Sequence, residues 1–77
     1  MKDLLETLVK SLVDYPDKIS VNEINGEQTT ILELKVLPED MGKVIGKEGR
    51  IAKSIRTIIK AAAMHNGKRV TIEIIQA

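Results

Sequence analysis

The chain has 77 residues, 43% apolar and 30% charged, with no cysteine and a formal net charge of +1. That length allows one domain with a thin core, burying about 60% of its unfolded surface, and the composition is that of a folded globular domain rather than a disordered tail. Disulfides and thiolate metal sites are excluded, no apolar run approaches the roughly 20 residues that cross a bilayer, and Asp3 and Glu6 among the first leucines argue against a secretory signal.

Leu4, Leu5, Leu8, Val9, Leu12 and Val13 recur at helical spacing, with Asp3 and Glu6 in the first turn, where negative charge suits the helix dipole. The pattern predicts an amphipathic helix over 2–13. Tyr15-Pro16 stops it, because a residue before proline is pushed out of the α region. Asn25-Gly26 then signals a tight hairpin, since both central positions of a type I′ turn need positive φ. That turn sets Ile19 opposite Leu32 and Val21 opposite Thr30 on one face, continued by Leu34 and Val36; Ser20, Asn22 and Thr29 fall on the polar face.

Leu37-Pro38-Glu39-Asp40 ends the second strand and opens a short helix over about 39–45. Gly46 and Gly49 break it. A long helix follows over about 50–65, with Ile51, Ile55, Ile58, Ile59 and Ala62 as its apolar stripe, closed by Asn66-Gly67. Val70, Ile72 and Ile74 alternate with Thr71, Glu73 and Ile75 at strand spacing. The expected fold is α+β: one domain of order α-β-β-α-α-β, with three helices on one face of a three-stranded sheet.

Chemistry concentrates in residues 42–50. Gly46 and Gly49 free the backbone to turn sharply and remove side chains that would block a ligand. The loop opens onto the N-terminus of the long helix, where unpaired N–H groups favour an anion. Lys47 lies within it and Arg50 directly after it. A P-loop requires Gly, four residues, then Gly-Lys-Ser/Thr after a strand; Gly42 and Gly46 are separated by three residues and Glu48 follows Lys47. A dinucleotide fingerprint requires Gly-x-Gly, which is absent. Two glycines alone are more often a plain helix–helix turn.

The charge distribution favours a polyanion at this end. Residues 1–40 hold 4 Lys and 9 Asp or Glu, a balance of −5, while residues 41–77 hold 8 Lys or Arg and 2 Glu, a balance of +6. The same asymmetry is also what two ordinary solvated surfaces produce.

Ile45-Gly46-Lys47-Glu48-Gly49, followed by Ile51 and Ile55, resembles the glycine loop of KH domains. The element order is similar to the type II variant, and the whole chain resembles the bacterial KhpA family of free-standing KH domains. The resemblance implies that single-stranded RNA lies in a cleft beside the loop, its backbone clamped by Gly46, Lys47, Glu48 and Gly49. Ile45 and Ile55 would form the groove floor, unless they are simply core. Glu48 departs from an all-basic loop and weakens phosphate attraction. The resemblance further implies a homodimer or a heterodimer with a second KH-domain protein, post-transcriptional regulation, and a cytoplasmic location.

Arg50, at the loop exit, is the better additional contact. Lys53, Arg56 and Lys60 share a helix stripe that is either a solvated face or a basic rim, and Lys68 and Arg69 flank the turn before the last strand. Such lysines add salt-dependent, sequence-independent affinity. With one histidine, His65, and no carboxylate pair beside it, neither metal nor cofactor is expected. Tyr15 is the only aromatic, which disfavours folds that stack bases on several rings. No nucleophile–base pair appears, so a binding protein is expected rather than an enzyme. A subunit that completes a partner's complex, with RNA secondary, is the alternative.

Overall fold

The computed structural model describes residues 1–77. In chain order these form helix α1 (Lys2–Lys10), strands β1 (Ser20–Asn25) and β2 (Thr29–Val36), helices α2 (Pro38–Ile45) and α3 (Arg50–His65), and strand β3 (Arg69–Gln76), with single 3-10 turns at Pro16–Lys18 and Lys47–Gly49. The architecture is the expected α+β one. The sheet has order β1-β2-β3 and is mixed: β1 and β2 are antiparallel, β2 and β3 parallel. Parallel neighbours need a long connection, which α2 and α3 supply.

One core serves the sheet and all three helices. Val21, Leu32, Leu34, Val36, Val70 and Ile72 contribute from the strands, and Leu5, Val9, Val44, Ile55, Ile59 and Ala63 from the helices. α1 packs on β1, α3 on β3, and α2 on α3. No helix is long and apolar enough to cross a membrane.

The hairpin register differs from the one the Asn25-Gly26 signal predicts. Neither residue has positive φ. Gly26 N–H donates to the Thr29 carbonyl (2.8 Å), so the reversal runs through Glu27-Gln28. Val21 therefore faces Leu34, and Asn25 faces Thr30. The predicted register would have set Pro16, which cannot donate to a ladder, opposite Lys35. The shift is four residues, an even number, so the inner and outer faces are unchanged.

Two boundaries also move. α1 ends at Lys10 rather than Val13, because the amides of Asp14 and Tyr15 turn instead to the carboxylate of Asp40 (3.1 and 3.2 Å). The buried stripe of α3 is Ala52, Ile55, Ile59 and Ala63, while Ile58 is 45% exposed. These positions follow three- and four-residue helical spacing, which leaves Ile58 on the flank of the buried stripe.

Candidate nucleic-acid interface

α2 stops where Gly46 adopts φ +75°, ψ 178°, its amide donating back to the Gly42 carbonyl at 2.9 Å. A side chain has no room there: a Cβ on Gly46 would fall 2.5 Å from Ile51 Cγ1. Gly49 is left-handed too, at φ +73°, ψ 15°, but open space surrounds it. Glu48 between them has φ +57° and is the one non-glycine residue with positive φ. Gly46 thus answers to packing and conformation together, Gly49 to conformation alone.

Not all four loop amides are bare. Gly46 N–H is used by Gly42, and Gly49 N–H donates to the Gly46 carbonyl (3.2 Å), which closes the turn. The amides of Lys47 and Glu48 have no acceptor among the turn and loop hydrogen bonds. Behind them α3 begins without a side-chain cap and with no acid in its first turn. α1 carries Asp3 and α2 carries Glu39 and Asp40 at the equivalent place. The positive end of the longest helix is therefore left uncompensated, which suits a bound anion.

The charged groups around this end are free to meet one. Lys47, Arg50 and Lys53 are exposed. Arg50 Nη2 donates to Glu48 Oε2 (3.2 Å), but with side chains 76% and 66% exposed the pair is weak and open to competition. Lys43 is different: it is bonded to the Asp14 carboxylate, which raises it above the ordinary lysine value, and Asp40 lies 3.9 Å away. Its charge is already answered within the protein. Ile45 is half-buried at the end of α2. Ile55 is 4% exposed and belongs to the core cluster, the second of the two roles open to it.

Further along α3, Lys60 and Met64 face Arg69, Val70 and Thr71 of β3 across a cleft of about 550 Å³. Lys53 and Lys60, seven residues apart, lie on one flank of the helix, so this flank leads from the loop to the cleft over about 16 Å. The placement of Lys60 and Met64 beside the β3 edge was not legible in the sequence, because the period of a helix does not say which flank faces which strand. Asp40 was also missed. It is fully buried and ties the segment after α1 to the first turn of α2, and nothing in the local pattern distinguishes it from the exposed Glu39.

Comparison with known proteins gives one family. The family described as KhpA/KhpB, KH domain, matches residues 2–74. RNA-binding protein KhpA of Clostridium acetobutylicum is 71% identical over 75 residues, covering 97% of this chain and 100% of that one. RNA-binding protein KhpA of Aquifex aeolicus is 51% identical over 76 residues, covering 99% and 96%. Among solved structures, the fold is similar to Era in complex with MgGDPNP and nucleotides 1506–1542 of 16S ribosomal RNA, with a TM-score of 0.65 at 20% identity over 97% of this chain. It is similar also to Aquifex aeolicus Era bound to GDP and aluminium fluoride, with a TM-score of 0.64 at 16% identity. In each case the chain spans 29% of the Era chain.

Proposed function

Because the chain belongs to the KhpA/KhpB KH-domain family, we propose that it is a non-catalytic RNA-binding protein whose Gly46-Lys47-Glu48-Gly49 loop holds single-stranded RNA by its backbone. The observation that carries this reading is the uncapped, acid-free start of α3 behind a basic loop in which the Lys47 and Glu48 amides have no acceptor among the turn and loop hydrogen bonds. A phosphate oxygen placed there accepts from Lys47 and Glu48 N–H while Lys47 and Arg50 supply countercharge, Arg50 exchanging Glu48 for the phosphate. Lys53 and Lys60 continue the basic flank towards the cleft at β3, where the exposed Met64 offers apolar surface to the bases. Ile45 borders the loop.

This contact is small, and Glu48 repels the strand, so one copy binds weakly and with little sequence selectivity. Two linked copies raise avidity by effective concentration alone. The exposed Ile58 beside Ala61 on α3 supports self-association or pairing with a second KH-domain protein. The role that follows is post-transcriptional regulation in the cytoplasm, exercised by holding RNA rather than by altering it.

The test is the double variant Lys47→Asp with Glu48→Asp, assayed against a fluorescent single-stranded RNA. Binding is lost while the circular dichroism spectrum stays native. RNA retention equal to the parent's would reject the loop mechanism. Sedimentation with and without RNA separates this reading from a subunit whose task is assembly alone, which would form a stable dimer with no RNA affinity.

A further inference from the structure

Strand β1 directs Val21, Glu23 and Asn25 towards the helices, opposite Leu34, Leu32 and Thr30 of β2. Of those three only Val21 is buried. The inner face of such a sheet is ordinarily apolar, yet at the hairpin end it carries Glu23, Asn25 and Thr30. Local breaks in the apolar pattern concentrate at functional sites.

These polar groups are held in place. Thr30, 6% exposed, donates its hydroxyl to Asn25 Oδ1 (3.0 Å), and Asn25 Nδ2 donates to Glu23 Oε2 (3.1 Å). The bonds orient the Glu23 carboxylate and occupy one lone pair of Oε2, so Oε1 and the second lone pair of Oε2 can each accept from a ligand. Asn66, at the end of α3, and Lys68, before β3, complete a crevice of about 220 Å³, with Met1 and Ala63 adding apolar wall. Lys68 lines the α3–β3 cleft as well. The crevice is therefore the next hollow along the surface after the proposed RNA path.

We infer that this crevice is a recognition pocket for a guanine base in a strand that continues past the loop and the cleft. The inference rests on the RNA-binding reading above. A carboxylate only accepts hydrogen bonds, and guanine is the base whose Watson–Crick edge offers two adjacent donors, N1–H and the 2-amino group. Adenine presents a bare acceptor nitrogen there, which a carboxylate repels; uracil and cytosine offer one donor each. Lys68 and the Asn66 amide supply donors for guanine O6 and N7, and single-stranded RNA leaves these edges open to be read.

The experiment is fluorescence anisotropy with labelled oligouridylates long enough to pass the loop and cleft, each carrying one guanine stepped along the strand. Matched strands carry adenine, or inosine, which lacks the 2-amino group; a four-nucleotide oligouridylate reports the loop alone. At one position guanine binds about tenfold more tightly than adenine or inosine, the discrimination of one good bidentate pair. Glu23→Ala and Glu23→Gln each abolish that preference, Asn66→Ala reduces it, and all three leave the four-nucleotide affinity and the circular dichroism spectrum unchanged. Equal binding of guanine and adenine at every position, or a preference that survives both Glu23 variants, overturns the pocket while the loop reading stands. Failure of both long and short oligonucleotides to bind overturns both.

Discussion

Replacing Gly46 by alanine tests whether the loop is fixed by packing as well as by turn geometry. At φ +75°, ψ 178° the backbone lies in a region reserved for glycine, at a cost of about 1–3 kcal/mol for any other residue. The new Cβ would lie 2.5 and 2.8 Å from three carbons of Ile51, and relieving that overlap costs a further ~1–3 kcal/mol. The sum, about 2–6 kcal/mol, is a large share of the roughly 4–12 kcal/mol expected for a domain of this length. Gly49→Ala meets no atom within 4 Å and costs only the left-handed term, about 1–2 kcal/mol. Urea unfolding followed by far-UV circular dichroism separates them: with a slope near ~1 kcal/mol per M, Gly46→Ala lowers the midpoint by about 2 M or more and Gly49→Ala by about 1–2 M. Adding Ile51→Ala to Gly46→Ala returns part of the loss, giving a coupling of about 1–2 kcal/mol. Equal losses for the two glycines, or strict additivity of Gly46→Ala with Ile51→Ala, would refute the packing argument.

Asp40→Ala leaves the amides of Asp14 and Tyr15 without their acceptor and destabilises by about 2–4 kcal/mol in the same assay; a loss below about 0.5 kcal/mol would mean that solvent satisfies those amides. Glu48→Asn places at φ +57° a residue that tolerates the left-handed region, so stability rises by about 0.5–1 kcal/mol, and removal of a like charge tightens RNA binding several-fold. Weaker binding by Glu48→Asn would count against Glu48 as a repulsive group. Phosphate contacts from Lys47, Arg50 and Lys53 give a log–log slope of affinity against salt of roughly −2, and Lys47→Ala flattens it by about 0.7; a salt-independent affinity would remove the electrostatic basis of the site.

The parts of the fold that rest on a repeating period were readable from the chain. Two-residue alternation in Thr30, Leu32, Leu34 and Val36 and in Val70 and Ile72 assigned the inner face correctly, and it survived a wrong turn assignment because the register shift was even. The turn itself was not readable: Asn25-Gly26 is a strong local signal, but Asn25 is engaged by Thr30 across the pair and by Glu23 two residues earlier in its own strand, and stays in the strand. Ile58 and Ala52 exchanged roles because a helix stripe read from hydrophobicity alone favours the larger side chain, whereas the buried face runs through positions 52, 55, 59 and 63. At the loop, the sequence located the glycines and the basic residues. It did not show that two of the four amides close the turn, nor that Lys43, adjacent in sequence, is neutralised by Asp14.

The closeness of Ile51 to Gly46 gives the isoleucine–glycine spacing of this loop a packing role in addition to the binding role proposed for it. Ile51 is partly buried against the core cluster and also occupies the space that any side chain at 46 would need. The loop is thereby fixed to the core at its first glycine, through a residue that touches no ligand. At its second glycine a Cβ would meet no atom within 4 Å, and the amide is held only by the Gly46 carbonyl of the same turn. On the proposed reading, binding a flexible strand to an anchored loop avoids the cost of ordering both partners, which places the rigid end beside the amides of Lys47 and Glu48. On this argument Gly46→Ala loses RNA affinity together with stability. Ile51→Val, which shortens the anchor without filling the space, loosens binding with a small change in the urea midpoint.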